Sequence, residues 1–258
     1  MDRMVGNLAV AYDVDVFILA ECALSPGRLL TTLNGRGTGL YQYVPRVGCE
    51  KIEIFARFPH EYLIPLSETD RLTIRRLNLP GLTEVLLAAI HFPSKLRWSA
   101  ESQAHESVVL AGLIREAERE VGHSRTVLVG DLNMNPFECG VVSAAGLHGV
   151  MTRGVAQRGD RIVQGRMYPF FYNPMWGLFG DATPGPPGTY YRAGSEHVEY
   201  FWNMFDQVLI RPELLPAFDN RDLKVLESDG EASLLSAAGT PEDSAASDHL
   251  PVLFKLRL

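Results

Sequence analysis

Residues 125–138 read RTVLVGDLNMNPFE. The aliphatic, β-branched run is short and is closed by Gly-Asp and Asn-Pro, so it reads as a buried strand ending at Asp131. Alternate residues of an extended chain project the same way, which lets the carboxylate of Asp131 and the amide of Asn133 meet one phosphate or one ion. Taken alone, the stretch reads first as a turn in which Asn133 and Asn135 bond their own backbone before Pro136. The surrounding chain decides between the two.

Working outward, similar runs occur at DVFILA (15–20), which Glu21 ends, and at KIEIFARF (51–58), RLTIRRLNL (71–79), EVLLAAIHF (84–92), FDQVLI (205–210) and LPVLFKLRL (250–258). Each is predicted as a strand. Ahead of residue 125 lies the clearest helix, with Val109, Leu113, Ala117 and Val121 at helical spacing and Glu106, Arg115, Glu116 and Arg119 on the other faces. Residues 165–194 are aromatic and rich in Pro and Gly, too apolar for a plain linker. They suit base stacking, cover of a sheet edge, a lipid or subunit contact, or ordinary loop packing. Residues 229–247, DGEASLLSAAGTPEDSAAS, are predicted as a mobile loop.

With 258 residues, 46% of them hydrophobic, residues 1–258 are long enough to bury one sizeable core, and a single α/β domain is the expectation. A formal charge of −7 provides no broad basic face for a nucleic-acid backbone, so an anion site must be local. The three cysteines form no Cys-x-x-Cys pair, which argues against a disulfide framework or a thiolate zinc site. No apolar run approaches the roughly 20 residues of a membrane span and the amino terminus lacks a signal-peptide layout, so a soluble protein in a reducing, cytoplasmic compartment is expected.

Several predicted strands end in residues that carry chemistry. Glu21 follows FILA, His91 ends VLLAAIH, Asp206 opens DQVLI, and Ser247-Asp248-His249 precedes the last strand. Singly, each has a bland reading as a turn acid or a structural histidine. Independent turns have no reason to yield Glu, His, Asp-x-Asn, Asp and Asp-His in succession.

The series FILAE, LLAAIH, VLVGDLN, FDQVLI and SDHLPV resembles the motif ladder of the endonuclease/exonuclease/phosphatase family, the DNase I-like metal-dependent phosphoesterases. The resemblance implies a four-layer α/β/β/α sandwich of two mixed β-sheets with the active site at one edge. It implies Glu21 as the principal metal carboxylate and Asp248 as a second metal or water ligand. Asp131 and Asn133 become the pair that positions phosphate and nucleophile, His249 the imidazole at the scissile phosphate, Asp206 the acid that orients it, and His91 a second histidine. For the glutamate that partners this second histidine, Glu50 is the nearest match, with Glu53 in the same segment. The ion would be Mg²⁺, with Mn²⁺ as substitute.

One feature departs from the pattern. The family's usual first strand carries an Asn that helps bind metal, whereas MDRMVGNLAVAYDVD opens on a helix-like segment and Asn7 is a poor replacement. Either the strand lies upstream of Met1 or the protein works without that ligand. The expected activity is hydrolysis of a phosphate ester, with nucleic acid as the leading substrate and an inositol phosphate or phospholipid as the alternative. A catalytically dead binding module of the same fold is the reading from another class. The general base is either neutral His249 or Asp131 with a cationic His249.

Overall fold

A computed structural model describes residues 1–36, 39–241 and 247–258. Helix α1 (Asp2–Tyr12) is followed by β1 (Val16–Ala20), α2 (Pro26–Asn34), β2 (Gln42–Val44), β3 (Ile52–Ala56), β4 (Leu63–Glu68), β5 (Leu72–Leu77) and β6 (Val85–His91). Then come α3 (Ala100–Val121), β7 (Thr126–Asp131), β8 (Gly149–Val150), β9 (Asp160–Val163), β10 (Arg166–Pro169) and β11 (Phe171–Tyr172). The last elements are β12 (Tyr190–Tyr191), β13 (Trp202–Asn203), β14 (Asp206–Ile210), β15 (Lys224–Val225) and β16 (Val252–Leu253).

The main sheet has seven strands in the order β4-β5-β6-β7-β14-β11-β8. It is mixed: β6 runs parallel to β7 and β8 to β11, while the other neighbours are antiparallel. Residues of β6 are buried at every position, as a central strand covered on both faces requires. One face carries Val85, Leu87, Val127, Val208 and Ile210 against Ile52, Ile54 and Ala56 of β3. The opposite face packs Leu86, Ala88, Leu128 and Leu209 on Leu110, Ile114 and Ala117 of α3. Outside β1 and β3, Phe17 and Phe55 meet Val5 and Leu8 of α1 and Leu29 and Leu33 of α2. The chain is thus the expected α/β/β/α sandwich.

Three sequence expectations need adjustment. The second sheet, β1-β3-β2, is antiparallel rather than mixed, and β15-β16 forms a separate pair. The strand expected over 250–258 shrinks to Val252–Leu253, after which Leu256 makes only an isolated bridge to Phe218. A ladder needs a neighbour on which to extend. Among the described residues β16 pairs only with β15 and β1 only with β3, and both border a cleft of about 1670 Å³.

The buried face of α3 also differs from the predicted stripe. Val109 is 48% exposed, and the face runs through Gln103, Ser107, Leu110, Ile114 and Ala117. Two polar residues on that face hide its periodicity. Gln103 is buried because its amide donates to the carbonyls of Pro93 and Asn133 at 2.7 and 3.2 Å.

The aromatic stretch 165–194 divides. Phe170, Phe171 and Tyr172 are buried in the core, β10 forms a hairpin with β9, and Tyr190 reaches the cleft. In the loop expected over 229–247, residues 242–246 lie outside the described residues. Before them, Asp229 Oδ1 accepts the N–H groups of Glu231 and Ala232, and Asp229 Oδ2 accepts the Asn7 amide at 2.8 Å. Asn7 therefore serves to anchor this turn to α1.

Candidate active site

The parallel register of β6 with β7 places His91 opposite Asp131, and the antiparallel register of β14 with β7 places Asp206 opposite Asp131 on the other side. Strand pairing alone thus brings three chemistry-bearing residues, distant in sequence, to one end of the sheet. Gly130 makes the approach possible. Its φ is 139°, and a Cβ there would lie 1.9 Å from the Ile90 carbonyl oxygen.

Asp131 and Asn133 form the turn expected from an isolated Asp-x-Asn, and the turn is part of the site. Asn133, at φ 49°, donates its backbone N–H to Asp131 Oδ1 at 2.7 Å. Its amide donates to Asp131 Oδ2 at 2.8 Å and to the Phe92 carbonyl at 2.9 Å. With the amide oriented by these partners, Asn133 Oδ1 is left as an acceptor.

His249 Nδ1 lies 2.7 Å from Asp206 Oδ2. Ligand atoms of Asp131, Asp206 and His249 all fall within 4.8 Å of one another. Burial pushes the Asp131 carboxyl up to about 7; the Asp206 carboxylate adds to the shift and His249 opposes it. Burial disfavours the charged His249 ring, but Asp206, helped by Asp131 and Asp248, outweighs it and raises the imidazole to about 9. At neutral pH His249 is an imidazolium held between carboxylates.

His91 is the opposite case. Burial lowers its pKa more than Glu21 raises it, so the ring is neutral near pH 7. Its Nε2 is 3.6 Å from Glu21 Oε1 and its Nδ1 3.8 Å from Asp131 Oδ2. Nδ1 is buried and has no hydrogen-bond partner among the described residues. Glu21 sits at φ 48°, its N–H held by the Lys51 carbonyl and its carboxylate 3.2 Å from Lys51 Nζ. Burial opposes its charge, yet His91 and Lys51 hold its pKa below the ordinary value.

Of the eight residues expected from sequence, seven line the cleft: Glu21, His91, Asp131, Asn133, Asp206, Asp248 and His249. Asp248 is exposed at its rim. Glu50 is not among them; it is exposed and its carbonyl accepts from Arg46. Glu53 is buried beside Arg46 at 3.5 Å. The carboxylates next to His91 are Glu21 and Asp131. Sequence reading missed Lys51, Arg71, Thr189 and Tyr190. Lys51 and Arg71 open β-like runs already recognised, but nothing in their spacing marks them; Thr189 and Tyr190 lie in a stretch without periodicity.

A hard divalent cation suits the carboxylate-rich donor set. The tight triad of Asp131, Asp206 and His249 is the poorer host, because Asn133 already binds both oxygens of Asp131, Asp206 and His249 bind each other, and an imidazolium repels a cation. Glu21, with its carboxylate 55% exposed at the cleft mouth, has coordination capacity to spare.

Two packed sheets between helices, with acids and imidazoles converging at the strand ends of one pole, are the architecture of the endonuclease/exonuclease/phosphatase, or DNase I-like, fold. Solved structures agree. The chain is similar to TDP2 from C. elegans (17% identity, TM-score 0.54, covering 98% of this chain and 69% of that one). It is similar to D. rerio TDP2 complexed with single strand DNA product (18% identity, TM-score 0.52, 100% and 92% covered). It also resembles the human Nocturnin catalytic domain with bound sulfate anion (14% identity, TM-score 0.54, 99% and 86% covered). No protein-family model matches the sequence, and no curated protein does.

Proposed function

We propose that this protein is a divalent-metal-dependent phosphoesterase acting on a phosphodiester, with nucleic acid as the leading substrate. The observation that carries the reading is the convergence of Asp131, Asp206 and His249 within 4.8 Å at the cleft end, faced by neutral His91 and by Glu21. Paired groups with pKa values driven apart are what proton transfer to and from a phosphate ester requires.

Asp131, near 7, accepts the proton of the attacking water. Asn133 fixes both its oxygens and offers Oδ1 to the same water. His249, cationic and aligned by Asp206, stabilises charge on the phosphate oxygens as they become more negative. Neutral His91 presents Nε2 toward the same space. Mg²⁺, or Mn²⁺ in its place, would be held by Glu21 with Asp248 and would supply positive charge that offsets the substrate anion. This assignment favours Asp131 over His249 as the base, because an imidazole near 9 is already protonated at neutral pH.

The single-stranded DNA held by the D. rerio structure supports a nucleic-acid substrate here, and Lys51, Arg71 and Arg192 on the cleft walls give local positive charge to a chain of net charge −7. Three free cysteines, Cys22, Cys49 and Cys139, fit a reducing cytoplasm. No helix of the described residues is long and apolar enough to cross a membrane.

The test is hydrolysis of bis-p-nitrophenyl phosphate with Mn²⁺ and with EDTA, followed by supercoiled DNA, single-stranded DNA, RNA, inositol phosphates and sphingomyelin at equal enzyme. Chelator-sensitive turnover with nicking or degradation of nucleic acid is expected. Turnover of none of them means a binding module, and exclusive release of phosphate from an inositol polyphosphate sinks the nuclease assignment.

A further inference from the structure

The His249–Asp206 pair is clasped by two residues that take no part in the chemistry above. Thr189 is fully buried, and its Oγ1 accepts the backbone N–H groups of both Phe205 and Asp206 at 3.1 Å. Its carbonyl accepts the N–H of Leu250 at 2.8 Å. The next residue, Tyr190, forms an antiparallel bridge with His249. Its ring centroid lies 4.7 Å from the imidazole centroid at 37°, and it stacks on Phe205 at 5.4 Å and 20°.

A single hydrogen bond to Asp206 fixes one nitrogen of His249 but leaves the ring free to turn about that contact, since the final torsion of histidine has a broad, twofold profile. A flat surface against the imidazole removes this freedom. Because one dipeptide touches the backbone of Asp206 and the ring of His249, it sets the two partners relative to each other, although they are 43 residues apart.

We propose that Thr189–Tyr190 is the positioning element of the His249–Asp206 pair, with Thr189 holding the Asp206 backbone and Tyr190 fixing the plane of the imidazole. The proposal assigns a role to the end of the aromatic segment and rests on the phosphoesterase reading for its kinetic arm only.

Two readouts test it in the full chain. In kinetics on bis-p-nitrophenyl phosphate with Mn²⁺, Tyr190→Leu is expected to lower kcat by about 10- to 100-fold with KM nearly unchanged, and Tyr190→Phe to restore it. Made in the His249→Ala background, Tyr190→Leu should cost nothing further, because the group it positions is gone. In NMR spectra, the ring protons of His249 feel the current of the Tyr190 ring, so Tyr190→Leu should move them and Tyr190→Phe should not. Thr189→Val against Thr189→Ser asks the same of the backbone clasp if leucine at 190 prevents folding. Equal losses in both backgrounds, or imidazole signals unmoved by Tyr190→Leu, overturn the proposal. A wild-type chain without turnover would remove the functional reading while the NMR arm still decides the positioning.

Discussion

Asp206 stands opposite Asp131 in the register of β14 on β7, so two carboxylates share the end of one sheet with the imidazole of His249. Burial is the main cause of the raised Asp131 titration, and the Asp206 carboxylate adds to it. Asp131, the more buried, takes the penalty and rises to about 7, while His249 gains from both carboxylates and rises to about 9.

The rate of phosphodiester hydrolysis is therefore expected to be bell-shaped in pH. Ionised Asp131 is needed, so the rate climbs as pH rises through about 7; charged His249 is needed, so it falls as pH rises through about 9. Asp206→Asn removes a carboxylate that raises both groups, and both limbs should move to lower pH. Limbs that stay in place in Asp206→Asn contradict the pairing.

Removing the imidazole has a distinct signature. His249→Ala should lower kcat by about 10²–10⁴-fold and abolish the alkaline limb. Mn²⁺ affinity measured by titration calorimetry should remain within severalfold, since the proposed ligands are elsewhere. A large loss of metal affinity would make His249 a ligand instead.

Glu21→Gln keeps the shape of the side chain but removes its charge. Calorimetry should find Mn²⁺ binding weakened by about 10-fold or more, with Asp248→Asn weaker in effect. Unaltered binding in Glu21→Gln would move the metal to the triad of Asp131, Asp206 and His249.

Away from the site, Arg211 is buried and donates to Glu118 at 2.8 Å, while its guanidinium lies 3.8 Å from the Phe171 ring centroid. Glu118→Ala leaves this cation without its counter-charge and should destabilise the fold by about 3–5 kcal/mol in urea unfolding. Gly130→Ala is expected to be at least as severe, because holding a non-glycine residue at φ 139° costs about 1–3 kcal/mol before the collision with Ile90 is counted.

The site was legible where its chemistry sits on strand ends. Asp131, His91 and Asp206 follow from three apolar runs, and strand pairing brings them together without further information. The structure does not bring Glu50, the expected partner of His91, to the cleft, because placing an acid at or just before KIEIFAR depends on register, and register is fixed by partners that a single segment does not reveal. The α3 stripe was misread for a similar reason: Gln103 and Ser107 are buried to serve neighbours rather than to follow hydrophobic period. Tyr190 carries no local signal, since its role comes from a bridge to a residue 59 positions away.

The cleft that borders β1 and β16 has a thermodynamic consequence. Val16, Ile18, Val129, Val252 and Phe254 are only partly buried on its walls, so core side chains already meet solvent in the native state. Unfolding then adds less new apolar hydration than a sealed core of this length would. The heat-capacity increment should fall below the usual figure of about 12–15 cal/mol/K per residue, flattening the stability curve and, at a given maximum stability, moving its cold and heat limits apart.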